Sequence, residues 1–345
     1  MNIKTVWEYS METEARRLLH CAHQIVAGFY RVNNFKVLPY PAKIENSLTV
    51  TFPDLPYIQI PRFWEQVKKI DVDDFPIQVN PALLLQIINL LEKANLPVAD
   101  YKKTKILWGK AGGEILNEIY RIIPSKKDQI EEIIIYPTSF GTSSSFNHFG
   151  KKAKGKVIMY LREDQGIATI TEAILTSLTR EDIYRKFDGL WQESEIISDW
   201  LISESALNGI LQKYEEKNSF IPTIKGVRAK QQASLQQKSN DFYKKLGLPT
   251  EQRIFNLNGL IPQIYKKPVE NLTLVEKTLL KLLIQKANTT VTFDELANIL
   301  FASEDDFSLW AMAKTIQRLR DKLETNGVSG SYIQTSRGHG YLLKN

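Results

Sequence analysis

The strongest constraint on this chain lies near its end. Between Trp310 and Glu324 the apolar residues Met312, Ile316, Leu319 and Leu323 follow one another at steps of four, three and four. That spacing lines them along one side of a helix. Lys314, Thr315, Gln317, Arg318, Asp321 and Lys322 fall on its other faces. After a short Gly-containing gap, Tyr332-Ile-Gln-Thr-Ser-Arg-Gly-His-Gly-Tyr-Leu-Leu343 reads as a Gly-turned hairpin with Arg337 near its tip. His339 reads as a turn residue rather than a catalytic group. A helix with cations on its polar side, braced by such a hairpin, has the shape that enters a major groove while the hairpin follows the adjoining backbone.

Two further helices precede it. Thr273 with Glu276, and Thr292 with Glu295, have the spacing at which a helix-capping hydroxyl and a carboxylate satisfy each other's backbone N–H groups. Each opens an apolar-periodic run, through Leu279, Leu280, Leu282 and Leu283 and through Leu296, Ile299 and Leu300. Upstream, Arg253–Leu257 and Gln263–Lys266 read as short strands. Three helices and a terminal hairpin make a winged helix-turn-helix.

These residues resemble the output domain of OmpR/PhoB-type response regulators. The stretches that carry the resemblance are Lys267–Leu283, Val291–Leu296, Ile316–Leu323 and Tyr332–Tyr341. The last two agree in order, spacing and residue type. The resemblance covers about residues 251–345 and implies a small β-sheet, a three-helix core and a C-terminal wing. It implies that Leu309–Leu323 is the recognition helix, with Lys314, Thr315, Gln317, Arg318 and Lys322 facing bases or phosphates. Arg337 would be the wing arginine that approaches the minor groove. Trp310 and Gln317 stand where the family often carries arginine, so fewer phosphates would be neutralised. Glu304-Asp305-Asp306, just before the helix, would repel phosphate or face a protein partner. The alternative is a winged helix used for protein contacts, with Arg318, Arg320 and Lys322 forming a solvated face paired with Asp321 and Glu324.

Charge alone does not decide between these uses. The 345-residue chain has a net charge of +6, but from Leu272 onward nine Lys/Arg face eight Asp/Glu. A DNA surface must come from segregating charge rather than from its total. With 43% apolar and 24% charged residues the chain reads as globular, and its length allows two or three domains. Cys21 is the single cysteine, which excludes an internal disulfide and fits a reducing compartment. There is no signal-peptide pattern, and the run Ala82–Leu91 is too short to cross a bilayer. The expected location is cytoplasmic, with no membrane partner.

The first 250 residues read as mixed α and β. A helix is expected over Val6–Arg31, a strand over Ser47–Phe52, and helices over Pro81–Lys93 and Gly113–Ile123. Strands are expected at Glu132–Tyr136 and Lys156–Leu161, separated by a Ser/Gly/Thr-rich loop. Helices follow from Gly166 to Thr179 and from Glu193 to Tyr214, and a basic, glutamine-rich helix spans Lys225–Lys245. The expected organisation is an α+β multidomain chain: residues 1–99, an α+β unit 100–215, a basic helical connector 216–250, and the winged helix 251–345. No receiver-domain pattern precedes the winged helix.

The order strand, loop, strand, helix over about residues 100–205 also resembles zincin metalloproteases. The frame that would hold HExxH reads Thr171-Glu172-Ala-Ile-Leu175. Both zinc-ligand histidines are missing, so Glu172 alone holds no catalytic zinc. The resemblance implies at most an inactive protease-like, partner-binding module, or a hydrolase with unusual metal ligands. Thr169 and Glu172 also have capping-box spacing, which explains the glutamate without catalysis. His20 and His23 form at best a two-ligand pair on a helix surface. Gly109-Lys-Ala-Gly-Gly113 lacks the spacing of a phosphate-binding loop, and His148 has no evident partner. No catalytic residue, cofactor or metal is therefore expected. The expected function is a DNA-binding transcription regulator with an N-terminal sensing or partner-binding module. Its partners are double-stranded DNA, RNA polymerase or another protein, and a second copy of itself.

Overall fold

The computed structural model describes residues 3–42, 48–72, 75–147, 149, 155–214, 233–250, 253–300 and 308–345. Among these residues the strands form four sheets, and the buried apolar side chains form three large clusters and one small one.

The chain begins with a strand, not a helix. β1 (Lys4–Trp7) pairs in parallel with β4 (Glu132–Thr138), and β4 pairs in parallel with β6 (Lys156–Arg162). β5 (Ser144–Phe146) completes the far edge in antiparallel sense. The β-branched and aromatic residues Thr5, Val6 and Trp7 suit a pleated surface. The Ser10 hydroxyl then caps α1 (Met11–Val26) by accepting from the Thr13 N–H. At Gly28, with φ of +79°, the chain turns into α2 (Phe29–Val32). Residues 1–99 thus contribute a strand to the sheet of residues 100–215.

The first core gathers α1, the parallel pair β2 (Lys36–Tyr40) and β3 (Thr49–Pro53), α3 (Phe63–Lys68) and α4 (Pro81–Ala94). His20 and His23 belong to this interior rather than to a helix surface: both are buried, and burial holds both imidazoles below their ordinary pKa. They are neutral core residues.

The second core lies on the four-stranded sheet. α5 (Lys102–Ile122) runs a full 21 residues, starting eleven residues before the expected Gly113. Its buried face carries Trp108, Ala111, Ile115 and Ile119. Burial of that face outweighs the cost of about 1 kcal/mol for each interior glycine, so Gly109–Gly113 is helix rather than a phosphate-wrapping loop. α6 (Ile167–Phe187), α7 (Trp191–Ser203) and α8 (Ala206–Tyr214) complete the layer. Gly166 precedes α6, and Thr169 lies inside it, its hydroxyl donating to the Gln165 side chain. The capping-box explanation of Glu172 is therefore corrected. Glu172 is buried and shares a hydrogen bond with Glu195 of α7, whose pKa is raised by burial. His148 lies outside the described residues.

The described part of the expected connector is α9 (Ala233–Lys245). It packs along β2, where the Val37 N–H donates to the Ser239 hydroxyl at 3.0 Å, and Phe242, Tyr243 and Leu246 are buried in the first core. Lys225, Arg228 and Lys230 lie outside the described residues.

The third core is the winged helix. An antiparallel sheet, β7 (Phe255–Asn258), β8 (Ile261–Ile264) and β9 (Lys267–Pro268), leads into α10 (Leu274–Gln285). β10 (Val291–Thr292), α11 (Phe293–Leu300), α12 (Leu309–Thr325) and the hairpin β11 (Ile333–Ser336) and β12 (Gly340–Leu343) follow. Both expected capping boxes form, Thr273 with Glu276 and Thr292 with Glu295. A Cβ at Gly340 would stand 1.9 Å from the Val291 carbonyl oxygen, so only glycine lets β12 close on β10.

Candidate nucleic-acid interface

α12 is anchored by the four residues that its periodicity singles out. Met312, Ile316, Leu319 and Leu323 are all fully buried, beside Leu279, Leu283 and Leu296 of the other two helices. Ser308 caps the helix by accepting from the Ala311 N–H. With that side fixed, Trp310, Lys314 and Arg318 share an exposed strip at four-residue spacing.

Lys314 and Arg318 are the exposed cations of that strip, and neither pairs with a carboxylate among the described residues. The Lys314 ammonium lies 4.7 Å from the centre of the Trp310 ring. Gln317 is half-buried and donates to the Asp321 carboxylate at 3.1 Å, and Lys322 is half-buried. Thr315 is not on the strip. It is buried, and its hydroxyl donates to the Ala311 carbonyl and accepts from Arg318. A threonine at this helix position faces the core flank, so base contact through it does not follow from its polarity. Glu304, Asp305 and Asp306 lie outside the described residues.

Arg320 is not a solvated residue either. It is buried, donating to the Ile333 carbonyl and the Thr335 hydroxyl, and its ion pair with Asp188 is 2.6 Å long. Asp188 ends α6 in a left-handed conformation. It also accepts from the Tyr341 hydroxyl at 2.5 Å and from Thr335 at 3.2 Å. One carboxylate of the upstream chain thus ties together α12 and both strands of the terminal hairpin. Burial and this carboxylate push the Tyr341 phenol well above its ordinary pKa.

The wing arginine is engaged by the same region. Arg337 makes a two-pronged contact with Glu193, at 2.9 and 2.7 Å, and donates to the Phe187 carbonyl at 3.1 Å. The hydrogen bonds it donates to Glu193 raise its pKa further. Arg185 reaches Asp321, at the C-terminal end of the exposed strip, at 3.0 Å. The N-terminal half of the candidate surface is therefore open, while its C-terminal end and the wing tip rest on α6 and α7. A second zone holds the domain from the other side: the Ser329 N–H donates to the Ala27 carbonyl, and the Tyr265 hydroxyl to that of Val26. Nothing in the local sequence signalled Asp188 or Glu193, because their partners lie 132 to 153 residues away.

Residues 267–343 match the family described as "Transcriptional regulatory protein, C terminal". Protein RcaC of Microchaete diplosiphon is 38% identical over 74 residues, which is 21% of this chain and 11% of that protein. No solved structure matches the chain. The family match is confined to the C-terminal domain, and the chain aligns with only about a tenth of the length of the curated relative. The family match lies outside residues 100–205, so the zincin-like resemblance gains nothing from it. Among the described residues, no group of three or more His, Cys, Asp or Glu is arranged to hold a metal ion. No helix of the described residues is long and apolar enough to cross a membrane.

Proposed function

We propose that this protein is a transcription regulator that binds duplex DNA through α12 and its wing, and that residues 1–250 control how much of that surface is available. The observation that carries the reading is the exposed pair Lys314 and Arg318, one turn apart and free of carboxylate partners among the described residues. In this reading both meet phosphates or base edges, and Gln317 and Lys322 flank them. Thr315 supports Arg318 from behind instead of reading a base.

The clamp on Arg337 supports the control half of the reading. A wing arginine held by Glu193 is withheld from a phosphate until the contact exchanges. DNA and the acidic side chains of α6 and α7 then compete for the same cation, and the populations shift by the difference in their affinities. Trp310 and Leu309 are 69% and 52% exposed beside the cationic strip. That fits a protein partner, RNA polymerase among them, bound next to the DNA. A catalytic role is not part of this reading.

The test is a fluorescence-anisotropy titration of a mixed-sequence duplex at about 50 and about 200 mM salt. Three or four phosphate contacts predict a loss of roughly 40- to 150-fold in affinity between the two. Absence of saturable binding at the lower salt would sink the reading.

A further inference from the structure

Where the body, α9 and the winged helix meet there is a cavity of about 240 Å³. It is lined by Ile25 and Val26 from α1, Trp64 from α3, Tyr243 from α9, and Tyr265 from the turn after β8. The walls are mainly apolar and aromatic, the usual makeup of a small-molecule site. Two cations enter this setting. Arg31 stacks over Tyr243 at 4.7 Å and donates to the Pro249 carbonyl at 2.6 Å. The Lys68 ammonium sits 3.7 Å from the centre of the Tyr265 ring.

Neither cation has an ion-pair partner among the described residues. Lys68 is sufficiently desolvated, with Lys267 nearby, that its pKa falls to about 8. The Tyr243 hydroxyl is buried without a hydrogen-bond partner. Glu65 is the only carboxylate among the lining residues. The cavity thus offers two cations inside a mainly apolar shell, against the single carboxylate of exposed Glu65. A desolvated cation gains most from a charged acceptor brought to it.

We propose that this cavity binds a small organic acid, its carboxylate held by Lys68 and Arg31 and its planar apolar body packed against Trp64 and the two tyrosines. A volume of about 240 Å³ restricts the occupant to something smaller than drug-sized molecules. The ligand would touch Lys68 and Trp64 on the body and Tyr265 on the winged-helix side, so it would favour the docked arrangement. That consequence rests on the regulator reading above; the binding itself does not.

The test uses the full chain without DNA, so that its failure is distinct from a failure to bind DNA. 2-Naphthoate and its neutral twin 2-naphthamide are titrated by calorimetry into the wild type, Lys68→Met and, as a control at an exposed lysine away from the cavity, Lys344→Met. The expected result is one naphthoate per chain with Kd below about 1 mM, and the amide at least about tenfold weaker. Lys68→Met should weaken naphthoate at least about tenfold while changing the amide less than about threefold. Lys344→Met should bind both ligands as the wild type does. Thermal melts establish that both variants are folded. Absence of saturable naphthoate binding, equal affinity for acid and amide, or an unchanged affinity in folded Lys68→Met would each overturn the proposal.

Discussion

Glu14 shows how one residue's surroundings set a measurable property. It sits in α1, 4% exposed, accepting from the Thr138 hydroxyl at 2.7 Å and the Ser139 N–H at 3.0 Å. Burial lifts its carboxyl to about 7 despite those donors and Arg17. The folded protein therefore binds a proton that the unfolded chain releases near the ordinary value of 4.5. The resulting stability is fully present below that value and is lost as pH rises through about 7. The effect is on the order of 3 kcal/mol. Glu14→Gln stays neutral throughout, and the Thr138 hydroxyl can rotate to accept from the new amide. Urea midpoints of both proteins at about pH 4.5 and pH 7.5 give the comparison. The wild type should lose stability relative to the variant between the two; parallel pH profiles would show that Glu14 does not carry this proton. At the same scale, polarity alone misplaced Thr315 and Arg320. Both are hydrophilic in sequence, but a 3.6-residue period puts Thr315 beside Ile316 on the core flank, and the long Arg320 side chain finds its carboxylate in a distant segment.

At the scale of elements, the winged helix was legible because its determinants are local. Capping boxes, four-residue steps and a glycine turn all act within a few residues, and they reappear in α10, α11, α12 and the β11–β12 hairpin. β1 was misread as helix because its hydrogen-bond partner, β4, begins 128 residues later. Thr169 and Glu172 fit a capping rule, but α6 had already begun after Gly166. What ties the elements together is Asp188, and it makes a prediction. Asp188→Asn keeps a residue that tolerates the left-handed conformation but removes the charge that balances buried Arg320. Breaking a buried pair from one side costs about 3 kcal/mol or more. The variant should melt at lower temperature and lose amide-exchange protection in β11 and β12 ahead of β4. An unchanged melting temperature with full protection of the wing would contradict the role given to Asp188.

At the scale of the molecule, the proposed control of DNA binding rests on the contact between Glu193 and Arg337. Glu193→Gln removes the charge that holds Arg337 while retaining a side chain that can still cap α7 through the Leu190 N–H. Both partners are partly exposed, so the contact contributes no more than about 1 kcal/mol. DNA affinity should rise, by about two- to fivefold. A fall in affinity, or no change, would show that the wing arginine is not limiting. The docking itself could not be read from the sequence: Arg185 with Asp321, and Glu193 with Arg337, are surface charges that look solvated until the fold brings them together.

The most direct measurement compares wild type and Arg318→Ala in DNA titrations over a salt series. Arg318 is exposed and outside the apolar core, so the variant keeps the fold. If Arg318 meets a phosphate, its loss weakens binding at every salt concentration and lowers the slope of log affinity against log salt by about one. Identical affinity and slope in the two proteins would contradict the assignment of the α12 strip as the DNA-binding surface.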